Sequence, residues 1–201
     1  MRLVFCLPIA VFAPLLLGAA QPTYRYQIDS ARSVVSAKVG FMGIASKTAR
    51  FPQMSGRIAL SPERLDTIDL DVELDARRLQ AGDKVTLGRL KGQDFFDVER
   101  YPTVRFAGRN MQMTGATTAT VAGEVTARGV TRPALLAVTF REPPARVTGR
   151  DAVEFSARTV IDRREFGMTA YSAIVGKKVT ITSKRGWCRT SLRPDPRPGR
   201  A

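Results

Sequence analysis

Histidine is absent from all 201 residues, and the chain has only two cysteines, one tryptophan and four tyrosines. The first absence removes the one side chain that titrates near neutral pH. With it go the usual general base of a nucleophile–base pair and the commonest metal ligand. No His/Cys cluster offers transition-metal spacing, and GDKVTLG and GRLKG lack the spacing of a phosphate-binding loop. The carboxylates of DLDVELD, residues 69–75, alternate with apolar residues and so share a solvated strand face, two residues apart. Aromatic residues make up 7% of the chain and fall mostly on apolar faces, without the interleaved lysines of a single-strand binder. An isoelectric point near 10.8 therefore does not by itself indicate nucleic acid. No catalytic residue, metal or cofactor is expected.

Only one long apolar run occurs, over residues 3–17. It is shorter than the ~20 residues of a spanning helix, and Pro8 and Pro14 interrupt it. Arg2 precedes it, and the small residues Gly18 and Ala20 follow. That is the layout of a secretory signal peptide over residues 1–20, cut after Ala20. The expected compartment is the periplasm or the exterior. Cys6 leaves with the leader, so Cys188 cannot form an internal bridge; it could stay free or link two copies as a homodimer. The formal charge is +14, and residues 177–201 contribute eight Lys or Arg against the single acid Asp195. The last of these, over residues 185–201, read as a Pro- and Arg-rich disordered tail suited to contact with an anionic membrane surface or simply to solubility.

Between leader and tail, residues 21–184 form one domain dominated by period-two alternation. TIDLDVELDA puts Ile68, Leu70, Val72 and Leu74 on one face. SVVSAKVGF gives Val35, Ala37, Val39 and Phe41; TVRFAG gives Val104 and Phe106. LLAVTF gives Leu136, Val138 and Phe140, and AVEFSARTVID gives Phe155, Ala157, Thr159 and Ile161. YRYQID, GRIAL, TVAGEVTA and KKVTITS bring the candidates to nine. Only residues 75–98 can hold a helix, and three glycines keep it short; RREFG adds a single turn. This pattern predicts an all-β antiparallel barrel of roughly eight strands, with a sandwich as the alternative. Small inward residues (Ala37, Ala157, Gly123) leave space that the large ones would cap.

GEVTARGVTRPALLAVTF, residues 123–140, reads as a hairpin in which Gly129 permits a positive φ and Pro133 removes a donor. That segment resembles the strand-turn-strand signature of the YceI-like polyisoprenoid-binding family. QDFFDVERYPTVRFAG, FSARTVIDRREFGM and YRYQIDSARSVVSAKV resemble its other motifs, in the family's order. The resemblance implies a lipocalin-like periplasmic barrel with an elongated apolar interior. It implies non-catalytic binding there of a polyisoprenoid, an isoprenoid quinone or a related lipid, for transport or storage. The inner-face residues named above, Thr159 apart, then become the expected channel lining. Family members commonly carry histidines in three of these motifs, where this chain has Arg32, Phe41 and Arg89. Arg32 and Arg89 are the candidate headgroup contacts, because arginine donates hydrogen bonds but cannot hold a metal. The competing expectation is a barrel with a filled core, acting as an envelope stress or interaction protein through its surface and basic tail.

Overall fold

The computed structural model describes residues 22–190. The expected leader lies outside that range. Ten strands occur: β1 (Tyr24–Ile28), β2 (Val34–Phe41), β3 (Ala45–Phe51), β4 (Met54–Ser61), β5 (Arg64–Asp75), β6 (Thr103–Met113), β7 (Thr118–Ala127), β8 (Val130–Phe140), β9 (Val153–Asp162) and β10 (Val175–Thr190). Nine coincide with the alternating runs. The additional one is β3, whose ASKTARF buries only Ala49 and Phe51 and so carries a weak apolar pattern.

All pairings between the strands are antiparallel, in the order β1-β4-β5-β6-β7-β8-β9-β10-β2-β3, and β10 also pairs with β1. Eight strands therefore close a ring, with β2 and β3 attached beside it. β1 and β2 lie one after the other along the same edge of β10, separated by a bend at residues 29–33. The expected antiparallel barrel of roughly eight strands is what forms. β10 runs six residues beyond the boundary expected at 184, and residues 188–190 pair with β1 to complete the closure. Residues 185–190 are thus strand rather than disordered tail, because ladder partners on β9 and β1 outweigh the polar composition. The tail from residue 191 onward lies outside the described residues.

The segment between β5 and β6 holds a 3-10 turn (Ala76–Arg78) and one helix, α1 (Lys84–Lys91). Asp83 caps α1: its carboxylate accepts from the Thr86 backbone N–H at 2.7 Å and from the Thr86 hydroxyl at 2.8 Å. Leu79, Phe95 and Val98 from this segment bury against Val35, Phe51, Leu74 and Phe166, filling one end of the barrel. A second cluster around Leu60, Ile68, Met111, Val121 and Phe140 fills the other.

The β7–β8 corner is a two-residue turn, with Arg128 at φ +52° and Gly129 at φ +73° between the pair Ala127↔Val130. Two left-handed residues match the twist of a tight hairpin. Arg128 also donates to the Gln93 and Gly167 carbonyls, tying two loops to the corner. Pro133 sits inside β8, opposite Glu124 of β7. β8 pairs with β9 over only four residues, from Ala137↔Arg158 to Phe140↔Phe155, so Pro133 removes a donor where β8 has no ladder on that side. After β9, a 3-10 turn (Arg163–Phe166) ends at Gly167, φ +75°. Arg163 is buried there and donates to the carbonyls of Val175 (3.1 Å), Gly176 (2.9 Å) and Met168. Desolvation holds its pKa below the usual arginine value.

Candidate apolar ligand site

Where the two core clusters meet, the side chains leave a cavity of about 100 Å³. Every atom exposed in it is apolar. Its wall comes from all eight ring strands and β2: Ile28 from β1, Met54 from β4, Leu70, Val72 and Leu74 from β5, Val104 and Phe106 from β6, Val125 from β7, Leu136 from β8, Phe155, Ala157 and Thr159 from β9, Ile181 and Ser183 from β10, and Val35 from β2. A second apolar cavity of about 30 Å³ lies towards the far end, lined by Tyr26, Ile58, Ile68, Val121, Val138 and Phe140 among others. Leu70, Leu136 and Phe155 belong to both walls and form the partition. Phe155 leans on Phe140, ring centroids 6.5 Å apart.

Phe106 is seated by two glycines. A Cβ on Gly123 would lie 2.8 Å from the Phe106 ring and 2.3 Å from the Ala107 carbonyl oxygen; one on Gly108 would lie 3.1 Å from the same ring. Glycine at 123 therefore makes room for Phe106 rather than for a ligand, which corrects the expectation that it leaves open space. Ala157 does border the cavity.

One side of the cavity borders an outer groove. β1 pairs with β4 from Arg57 to Leu60, so residues 54–56 have lost that neighbour where β1 bends away. Ile28 and Met54 line both the cavity and an outer groove of about 520 Å³ formed with Gln27, Ser30, Gly56, Arg57, Asp71 and Glu73. Ile28 lies over Gly56, where a Cβ would approach its terminal methyl to 2.8 Å. The rim is charged: Arg105 donates to Asp71 at 2.7 and 2.8 Å, and Arg57 at 3.3 Å. The Arg105 hydrogen bond holds the Asp71 carboxyl below its usual pKa. Asp71 is thus paired on the outer face of β5, and Asp69 meets Arg109 there.

This geometry, an apolar chamber inside a curled antiparallel sheet, has relatives. The family model described as the YceI-like domain matches residues 26–184. The chain belongs to the YceI-like family. A UPF0312 protein of Pseudomonas putida strain F1 is 25% identical over 165 residues, covering 78% of this chain and 86% of the relative. Among solved structures, Burkholderia cenocepacia BcnA aligns with a TM-score of 0.69 at 22% identity, covering 80% of this chain and 98% of BcnA. A polyisoprenoid binding domain from Saccharophagus degradans, implicated in plant cell wall breakdown, aligns with a TM-score of 0.59 at 13% identity, covering 82% of this chain and 98% of that domain. At these identities the structural likenesses establish the shared fold.

Within the YceI-like barrel, nine of the expected lining residues border the larger cavity: Val35, Leu70, Val72, Leu74, Val104, Phe106, Leu136, Phe155 and Ala157. Ile68, Val138 and Phe140 border the smaller one. Ala37, Val39, Phe41 and Ile161 border neither. β2 runs towards the end occupied by residues 79–98, and there Ala37 and Ile161 pack on the core; Phe41 ends the strand with Lys47 Nζ 5.5 Å from its ring centre. Arg32 borders a surface hollow that shares Gln27, Ile28 and Ser30 with the outer groove. Arg89 is on α1, its guanidinium 5.0 Å from the Tyr171 ring centre, and borders neither cavity nor groove. Arg32, Phe41 and Arg89 are therefore not gathered at one site. Sequence reasoning missed Ile28 and Met54, which no alternating run distinguishes, and Val125, which the alternation of TVAGEVTA could have supplied. Thr159 adds a buried hydroxyl without a hydrogen-bond partner to the wall.

Proposed function

We propose that this YceI-like barrel binds a long apolar molecule, a polyisoprenoid, an isoprenoid quinone or a related lipid, and carries or stores it in the periplasm. The observation that supports this best is the cavity of about 100 Å³, wholly apolar and sharing Ile28 and Met54 with an outer groove. Apolar cavities of about 150 Å³ stay dry and take up benzene. A first stretch of hydrocarbon fits the chamber as it stands; a long chain needs Leu70, Leu136 and Phe155 to swing aside and join the two chambers. Each methylene buried contributes roughly 0.8 kcal/mol, so about ten carbons give on the order of 8 kcal/mol before ordering costs. The polar head stays at the groove, where Arg32, Arg57 and Arg105 are nearby cations. Nothing in this reading involves catalysis; the protein is a binder. The periplasmic assignment rests on the apolar leader of residues 3–17. Contact of the basic tail with the membrane, and pairing of two copies through Cys188, belong to the same reading as ways of meeting a donor or acceptor.

Native mass spectrometry of freshly purified protein, followed by organic extraction, tests it. A co-purifying apolar molecule, or uptake of an offered isoprenoid, is expected. Protein that stays at its bare mass in both trials overturns the reading. The second reading, a filled barrel acting through its surface, draws support from the modest cavity volume and would then stand.

A further inference from the structure

Eight large apolar side chains are conspicuously exposed among the described residues, and five of them share one end of the barrel. Ile44 is 97% and Met42 63% exposed in the β2–β3 turn, Val85 is 66% exposed on α1, and Tyr171 and Ile174 follow in the loop before β10. The three segments are joined. The Met42 N–H donates to the Ile174 carbonyl at 2.7 Å, Lys47 bridges from β3 to the α1 cap Asp83 at 3.1 Å, and Arg89 of α1 stacks on Tyr171. Folding alone does not ask for these residues. Met42 sits at φ +52° beside Gly43 at φ +75°, a left-handed pair for which asparagine or glycine is the unstrained choice. The outcome is a rigid turn that pushes methionine and isoleucine into solvent.

Cations surround this apolar tip. Residues 38–48, 83–91 and 169–178 contain seven Lys or Arg and one acid, Asp83, which Lys47 already pairs. Asp162, the acid beside Lys177, is paired with Arg164 at 2.6 Å. We infer that this end of the barrel docks on an anionic lipid surface, with Met42 and Ile44 entering the headgroup layer and the surrounding lysines meeting lipid phosphates. Exposed apolar wedges within a cationic ring are the chemistry of interfacial membrane binding. A second copy of the chain is disfavoured as the occupant, because each copy carries a formal +14 and would present the same cations to the other. The surface is separate from the basic tail and does not depend on what the barrel encloses.

Co-sedimentation with vesicles, using the full chain throughout, tests the docking. Wild type is expected to bind vesicles rich in phosphatidylglycerol, to bind phosphatidylcholine vesicles far less, and to release with rising salt as screening grows. Met42→Ser with Ile44→Ser leaves every charge and the tail in place and is expected to lower partitioning onto the anionic vesicles about tenfold or more. Both side chains are exposed, so the melting temperature should be unchanged, and circular dichroism confirms that the variant folds. Introducing tryptophan by Ile44→Trp should give emission that shifts to the blue only when anionic vesicles are added. Undiminished binding of the double serine variant would overturn the inference, since charge alone, the tail's included, would then suffice. Failure of wild type to bind anionic vesicles would overturn it equally.

Discussion

Ala157→Leu separates an open chamber from a packed core by the sign of its effect. Ala157 borders the cavity of about 100 Å³ and faces Val138 on β8 and Ser183 on β10. Leucine adds three carbons to that space. If the room is there, burying them contributes about 2.4 kcal/mol gross at roughly 0.8 kcal/mol per methylene, and ordering the side chain takes back about 0.5–1 kcal/mol. A net gain of about 1.5 kcal/mol should raise the melting temperature by about 3–6 °C in a domain of this size. The guest loses the same space, and three methylenes' worth of burial is about fifty-fold in affinity. Differential scanning calorimetry gives the first quantity, and displacement of a fluorescent apolar probe gives the second. In a tightly packed interior the same substitution would cost about 1–3 kcal/mol through overpacking. A lowered melting temperature with undiminished probe uptake would refute both the cavity and its use.

Gly123→Ala should destabilise by about 2–4 kcal/mol in urea unfolding, since its Cβ would lie 2.3 Å from a backbone carbonyl oxygen and 2.8 Å from the Phe106 ring. Replacing Arg163 by methionine keeps much of the volume but strands three carbonyls, those of Met168, Val175 and Gly176, with an expected loss of about 3 kcal/mol by the same measurement. The Asp83 carboxyl is held down to about 2 by the Thr86 N–H and hydroxyl and by Lys47. Its cap on α1 is fully present above the ordinary carboxylate range and is lost as pH falls through about 2. Carbon-detected NMR titration should therefore find Asp83 ionised at pH 3, with α1 amide protection failing only in stronger acid; a midpoint near 4 would contradict the capping geometry.

Most of the barrel was legible because a buried strand face writes itself into sequence every second residue. The clean separation of Ile68, Leu70, Val72 and Leu74 from Asp69, Asp71 and Glu73 placed β5 and its inner face without ambiguity. β3 was silent because Lys47, Thr48 and Arg50 occupy a strand that lies outside the ring and buries little. Alternation tells which way a side chain faces but not what it meets. Ala37 and Ala157 therefore looked equivalent, although one packs on the core and the other borders open volume. The border with the outer groove was unreadable for a related reason: Ile28 and Met54 matter because β1 leaves β4 at that point, a property of pairing rather than of residue type. The strand ending at Thr190 was likewise set by partners distant in sequence.

The ladder between β8 and β9 is only four residues long, a stave joint nearly as short as the three-residue closure of β1 on β10. Residues 130–136 are hydrogen-bonded in the sheet to β7 alone, and Pro133 deprives them of one donor with which to recruit another neighbour. Leu136 and Thr159, whose strands part at this seam, also belong to the chamber wall. The hoop can therefore expand here by hinging β8 outward with β7, breaking no interstrand bond beyond the short ladder. A swollen guest would be accommodated along this joint, and its amides should exchange with deuterated solvent well before those of the long β5–β6 and β7–β8 ladders.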